Sequence, residues 1–219
     1  PNGVDLELFR GGDRNAVRRL LGLPIDVPII LFSGKGFAKP LWRDPFTLRN
    51  AFEMLARERR GAPPLLLGFG EGGEETRVGP CTLRLLPYLE MRDVVRHYQA
   101  ADLYVHAARA DTFPNMVLES LACGTPVVAT AVCGIPEQIH SLDVGQPTRG
   151  FTTHEPESAT GILTPAGDAG SLARAIGYLL DHEDVRRGLE ENALGDARRR
   201  FDLKLQAKAM VEWFNELLG

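Results

Sequence analysis

The chain has 219 residues, 44% of them hydrophobic, with 25 basic and 29 acidic side chains and a formal net charge of −4. That length makes one large domain or one and a half small ones, and that composition is enough to bury a core. The slight acidic balance argues against non-specific nucleic-acid binding, which needs a basic face, and no run approaches the roughly 18 apolar residues of a membrane span.

Cys81, Cys123 and Cys133 are far apart and odd in number. They read as reduced, buried thiols of a cytoplasmic protein. Neither they nor the five histidines have ligand-like spacing, so no metal is expected. The chain opens on Pro1-Asn2-Gly3-Val4-Asp5, inside a turn. It reads as a piece of a longer protein.

In chain order, residues 13–21 predict a short helix closed by Gly22. Over 28–33, Ile29, Ile30, Leu31 and Phe32 form a continuous apolar run, which predicts a buried strand. A Gly/Lys-rich loop follows over 33–45. Leu48, Ala51, Phe52 and Leu55 share one face of a helix predicted over 47–57. Strands are expected over 65–69 and 83–86, then a helix over 91–101 with Val94, Val95 and Tyr98 inward. Residues 102–106 predict a fourth strand and 116–122 a helix, with Gly124 where a helix end favours glycine. The β-branched, apolar run 126–130 predicts a fifth strand and 162–164 a sixth. Helices are expected over 171–180, 185–199 and 203–218. The stretch 141–159, rich in Gly and Pro, reads as the least ordered.

Strands and helices alternating at this spacing predict an α/β fold: a Rossmann-like, doubly wound parallel sheet of about six strands with helices on both faces. Ligands of such sheets bind outside the carboxyl ends of the strands. The loops 33–45, 68–73 and 107–115 leave those ends. Gly68-Phe-Gly70-Glu-Gly72-Gly73 has the spacing of a dinucleotide fingerprint. A helix after it would be confined to 74–78 and lack an apolar stripe, so the match carries little weight.

The stretch 102–137 organises the rest. Asp111 to Asn115 is turn chemistry, with Pro114 suited to a helix's first turn. Asp111 stands on the loop and Glu119 in the first turns of the helix. Between them the amides of Asn115, Met116 and Val117 make an anion site before any side chain is considered. Taken alone, the two acids also read as charges complementing the helix dipole. His106 reads as a satisfied structural histidine. The basic residues Arg186, Arg187, Arg198, Arg199, Arg200, Lys204 and Lys208 read as a solvated helix face, with a peripheral membrane contact as the alternative. Trp213 and Phe214 are expected to pack.

Asp111-(TFPNMVL)-Glu119, then Ser120-Leu-Ala-Cys-Gly-Thr-Pro-Val-Val-Ala-Thr130, Gly134-Ile-Pro-Glu137 and Gly161-Ile-Leu-Thr-Pro165 follow in turn. This series resembles the C-terminal domain of the retaining GT-B glycosyltransferases known as glycosyl transferases group 1, or family 4. The resemblance covers nearly the whole chain. It implies that 1–219 is the donor-binding half of a GT-B fold, with 203–218 a helix that packs on an N-terminal acceptor domain.

The implied donor is a nucleotide-diphospho-sugar. The implied acceptor is a glycan, a lipid-linked sugar or a small molecule, and no cofactor or nucleic acid is involved. In the resembled family the anomeric configuration is retained. Glu119 would accept both ribose hydroxyls, two oxygens for two donors. Asp111 would hold hydroxyls of the sugar. The diphosphate would be neutralised by Lys39 and Arg43, with Lys35 as runner-up, and Gly34 of the same loop would contact the donor. The amides of Asn115, Met116 and Val117 would line the phosphates, Phe113 would contact the donor, and the base would lie near Pro87 and Tyr88. Two departures stand out: the family usually has Glu where Asp111 stands, and its Gly-Arg pair is absent. The alternatives are another GT-B enzyme, a phosphorylase or nucleotide-sugar epimerase, and a non-catalytic nucleotide-binding domain.

Overall fold

The computed structural model describes residues 2–33, 42–70, 72, 75–146 and 151–218. In chain order the elements are α1 (Arg14–Leu20), β1 (Ile29–Ser33), α2 (Pro45–Glu58), β2 (Leu65–Phe69), β3 (Glu75–Val78) and β4 (Cys81–Leu86). Next come α3 (Met91–Ala100), β5 (Leu103–His106), α4 (Asn115–Ala122), β6 (Val127–Thr130), α5 (Ile135–Gln138), β7 (Ser141–Leu142) and β8 (Thr153–His154). The chain closes with β9 (Gly161–Thr164), α6 (Ala169–Asp181), α7 (Glu183–Arg200) and α8 (Leu203–Leu218).

Local chemistry sets the ends. Asp13, Asp44 and Asp168 each accept from the amide three residues on, capping α1, α2 and α6. Helix α4 closes through Gly124, whose φ of +72° is open to glycine. There Thr125 N–H donates to Ser120 O (2.9 Å) and Gly124 N–H to Leu121 O (3.0 Å), so the last carbonyls are satisfied.

The sheet runs β3-β4-β2-β1-β5-β6-β9-β7-β8. The six strands expected from the sequence form its parallel centre, β4-β2-β1-β5-β6-β9. The chain proceeds outward from β1 through β2 to β4, then returns to β5 and builds the other way. The reversal lies between β1 and β5, and a crevice opens at the carboxyl ends of strands flanking such a switch point.

Three strands are additional. Residues 75–78 are a strand antiparallel to β4, not a helix, so the glycine-rich turn leads to no helix N-terminus and the dinucleotide reading fails. Gly68 has a packing reason instead, because a Cβ there would stand 2.7 Å from Leu85 and Phe32. β7 and β8 put two ordered pairings into the 141–159 stretch, at the far edge.

Both faces of the sheet are covered. Ile30, Phe32 and Leu66 pack under α2 and α6, and Ile29, Leu31 and Tyr104 pack under the α3 and α4 side. Helix α8 stands apart, with no buried residue. Trp213 and Phe214 tilt on each other at 5.1 Å and stay about half exposed, at 55% and 51%, so the expectation that they pack into the body is corrected. Two further expectations change. Cys133 is exposed, while Cys81 and Cys123 are buried. Arg186 is buried and donates to Leu179 O, and Arg200 is half-buried against Asp196, so the basic face is smaller than its sequence suggests. No described helix is long and apolar enough to cross a membrane.

Candidate active site

The loop after β1 is tied to the loop after β5. Arg43 and Ala108 form an isolated antiparallel bridge. Asp44 N–H donates to Ala107 O (3.1 Å) and Arg109 N–H to Trp42 O (2.8 Å). Thr130, at the end of β6, holds Ala108 by both backbone groups, accepting from its N–H (2.9 Å) and donating to its carbonyl (2.8 Å). These bonds carry the Arg43 side chain across the switch point.

There Arg43 Nη1 donates to Asp111 Oδ2 at 2.8 Å and also touches both ring nitrogens of His106. His106 Nε2 lies 3.3 Å from Asp111 Oδ2, and Tyr104 Oη lies 3.0 Å from His106 Nδ1. Burial lowers the His106 imidazole to about 4, the Asp111 hydrogen bond opposing and the Arg43 charge adding to the shift. It is neutral at pH 7. Burial raises the Asp111 carboxyl, but the His106 hydrogen bond and the Arg43 charge outweigh it, so the group titrates below the ordinary carboxylate range. Asp111 is therefore a fixed anion, oriented from behind by a neutral histidine.

Glu119 belongs to the same assembly. Tyr98 donates to Glu119 Oε2 (3.1 Å) and approaches Met116 O (3.2 Å). Tyr104 Oη reaches Met116 Sδ (3.6 Å), and the Tyr98 and Tyr104 rings meet edge to face at 5.7 Å. A continuous path of contacts thus joins Asp111 to Glu119 through His106, Tyr104, Met116 and Tyr98. Burial raises the Glu119 carboxyl above its ordinary value, and the Tyr98 hydrogen bond offsets only part of that. Its charge is held at a cost that hydroxyl donors from a ligand would relieve.

Between the acids, α4 starts without a side-chain cap, Pro114 standing just before its first residue rather than inside its first turn. Val117 N–H donates to Pro114 O (3.2 Å) and is committed. The Asn115 and Met116 amides have no acceptor among the described residues, so two of the three amides expected at the anion site are open. Phe113 stacks edge to face on Phe201, turned to the body. Pro87 and Tyr88 lie exposed just beyond β4, Tyr88 at 92%, with no described bond to the acidic pair. Gly34, Lys35 and Lys39 lie outside the described residues.

His106 is a buried, hydrogen-bonded histidine, as its sequence reading expected, and the contacts of Tyr98 with Glu119 and of Tyr104 with His106 were not foreseen. Tyr104 and His106 alternate on one strand face at its carboxyl end, and polar tips there were the available signal. Among the described residues, no group of three or more His, Cys, Asp or Glu side chains is placed to hold a metal ion.

The model of the family described as glycosyl transferases group 1 matches residues 81–196, more than half of the chain. The chain belongs to that family. This group 1 chain is 32% identical over 211 residues to D-inositol 3-phosphate glycosyltransferase 2 of Catenulispora acidiphila, covering 90% of this chain and 45% of the relative. Among solved structures it resembles sucrose-phosphate synthase from Thermosynechococcus elongatus, with a TM-score of 0.74 at 25% identity over 100% of this chain and 52% of the other. HepE of Anabaena, solved in complex with UDP-glucose, has a TM-score of 0.71 at 21% identity over 98% and 56%, a likeness of fold. The chain spans about half the length of the curated relatives it matches. Its fold is the C-terminal, Rossmann-like half of a GT-B glycosyltransferase.

Proposed function

We propose that this chain holds the donor, a nucleotide-diphospho-sugar, in a retaining glycosyltransferase whose acceptor site lies in another half of the protein. The observation that carries the reading is the joined assembly at the switch point: Asp111 fixed by Arg43 and His106, Glu119 desolvated beside Tyr98, and open amides of Asn115 and Met116 between them.

Each part meets one part of the ligand. Glu119 takes the ribose diol, because a carboxylate offers an acceptor to each hydroxyl. The open amides and the positive end of α4 take phosphate charge, worth up to about 2 kcal/mol in partly buried geometry. Arg43, with Lys39 of the preceding loop, neutralises the departing diphosphate. Asp111 orients hydroxyls of the sugar. Pro87 and Tyr88 are the edge against which the base lies. Transfer goes to an acceptor hydroxyl, and the leaving phosphate helps to deprotonate it. The acceptor is a glycan, lipid-linked sugar or small molecule, and the bare face of α8 docks on the acceptor half. The reading places the protein in the cytoplasm, with a peripheral membrane contact where the acceptor is lipid-linked.

The test is calorimetry of the chain with UDP-, GDP- and ADP-sugars. One of the three should bind at a single site, and Glu119→Ala should weaken it. A folded sample that binds none overturns the reading.

A further inference from the structure

Of three consecutive carbonyls in the turn before α4, one packs closely against another part of the chain and two accept hydrogen bonds from it. Thr112 O lies against Gly134, where a Cβ would stand 2.0 Å away. Phe113 O accepts from Asn2 Nδ2 (3.2 Å), which also donates to Asn115 Oδ1 (3.0 Å). Pro114 O accepts from Gln138 Nε2 (3.1 Å) as well as from Val117 N–H, using both its lone pairs.

The last contact bears on the anion site. Pro114 C=O and Asn115 N–H belong to one planar trans peptide and point in opposite directions. Holding the carbonyl toward α5 turns the Asn115 N–H away from it. Gln138 is fully buried, and its Oε1 has no hydrogen-bond partner among the described residues. Flipping the amide would set two acceptors against each other at Pro114, so the orientation is dictated. A buried acceptor without a partner is a cost to folding. Methionine would fill the same space without that cost, and Pro114 O would keep its bond from Val117. What the amide does that methionine could not is donate from Nε2 to Pro114 O.

We propose that Gln138, seconded by Asn2, is a positioning residue for diphosphate recognition: it fixes the Pro114–Asn115 peptide so that the Asn115 N–H meets the phosphate. This rests on the donor-binding reading above. The test is Gln138→Met in the 219-residue chain, titrated with whichever of UDP, GDP and ADP the wild type binds, and with the matching nucleoside. The diphosphate should bind roughly three- to tenfold more weakly, as expected for misaligning one hydrogen bond. Nucleoside affinity should be unchanged, and the thermal midpoint unchanged or higher. Asn2→Ala, at an exposed position, should show the same split to a smaller degree.

Diphosphate affinity equal to wild type in both variants overturns the proposal. So does an equal loss for nucleoside and diphosphate, which marks general damage to the site. A wild type that binds none of the three nucleotides defeats the donor-binding reading itself, and this inference with it.

Discussion

Replacing Glu119 by Gln separates what this carboxylate does for binding from what it does to stability. In the free protein its burial raises the carboxyl above the ordinary 4.5, with Tyr98 supplying one hydrogen bond. A group whose folded pKa is raised binds more protons folded than unfolded, so its penalty is absent below the unfolded value and fully present above the folded one. At pH 7 the wild type bears that penalty and Glu119→Gln does not. The thermal midpoint of the variant should therefore be equal or higher at pH 7, and its advantage should vanish on acidification below the unfolded value. Binding should move the other way. A ribose diol makes two hydrogen bonds to a charged acceptor, each worth about 1.5–3 kcal/mol, against about 0.5–1.5 kcal/mol for neutral ones. The amide retains one acceptor, already partnered by Tyr98, so the loss is about 2–4 kcal/mol, roughly 30- to 1,000-fold in Kd. Titration calorimetry with the preferred nucleoside diphosphate, and scanning calorimetry at two pH values, measure both. Nucleotide affinity within about threefold of wild type, or a midpoint several degrees lower at pH 7, would refute the reasoning.

Other outcomes follow from the same geometry. His106 is held neutral in the fold, its pKa lowered from 6.5 to about 4, so its contribution to stability is present above 6.5 and lost as pH falls toward 4. The whole effect is about 3 kcal/mol, and urea melts across that range should be flatter in His106→Gln than in the wild type. Tyr98→Phe strips Glu119 of its hydrogen-bonding neighbour, so the acid limb of nucleotide binding should move to higher pH, read by calorimetry across a pH series. Gly68→Ala forces a methyl against Leu85 and Phe32 and should lower stability by about 1–3 kcal/mol in urea denaturation. Cys133 should react with a maleimide in the native state, while Cys81 and Cys123 react only on unfolding, as mass spectrometry would show.

The parts of the fold legible in sequence are those whose burial is encoded locally. β1 and β2 are continuous apolar runs because they are covered on both faces, and the stripe of α2 is regular because it meets one flat surface. β3 was not legible. Glu75, Thr76 and Arg77 are exposed on an edge, and pairing with β4 holds them through bonds such as Arg84 to Glu75. β7 and β8 are too short to carry a period. At the site, the spacing of Asp111 and Glu119 was readable because both lie within one loop-helix unit. The contact of Arg43 with His106 was not, since 63 residues separate them and a backbone bridge brings them together.

The two ends of the described chain share one anchorage. Val4 N–H donates to Phe201 O (2.7 Å), and Leu203 N–H donates to Val4 O (3.0 Å), so the opening segment lies stitched to the root of α8. Two residues earlier, Asn2 grips the turn that presents the open amides. The root of the bare helix α8 and the turn before α4 are thus both bonded to one short stretch at the start of the chain, Asn2 holding the turn and Val4 the helix root.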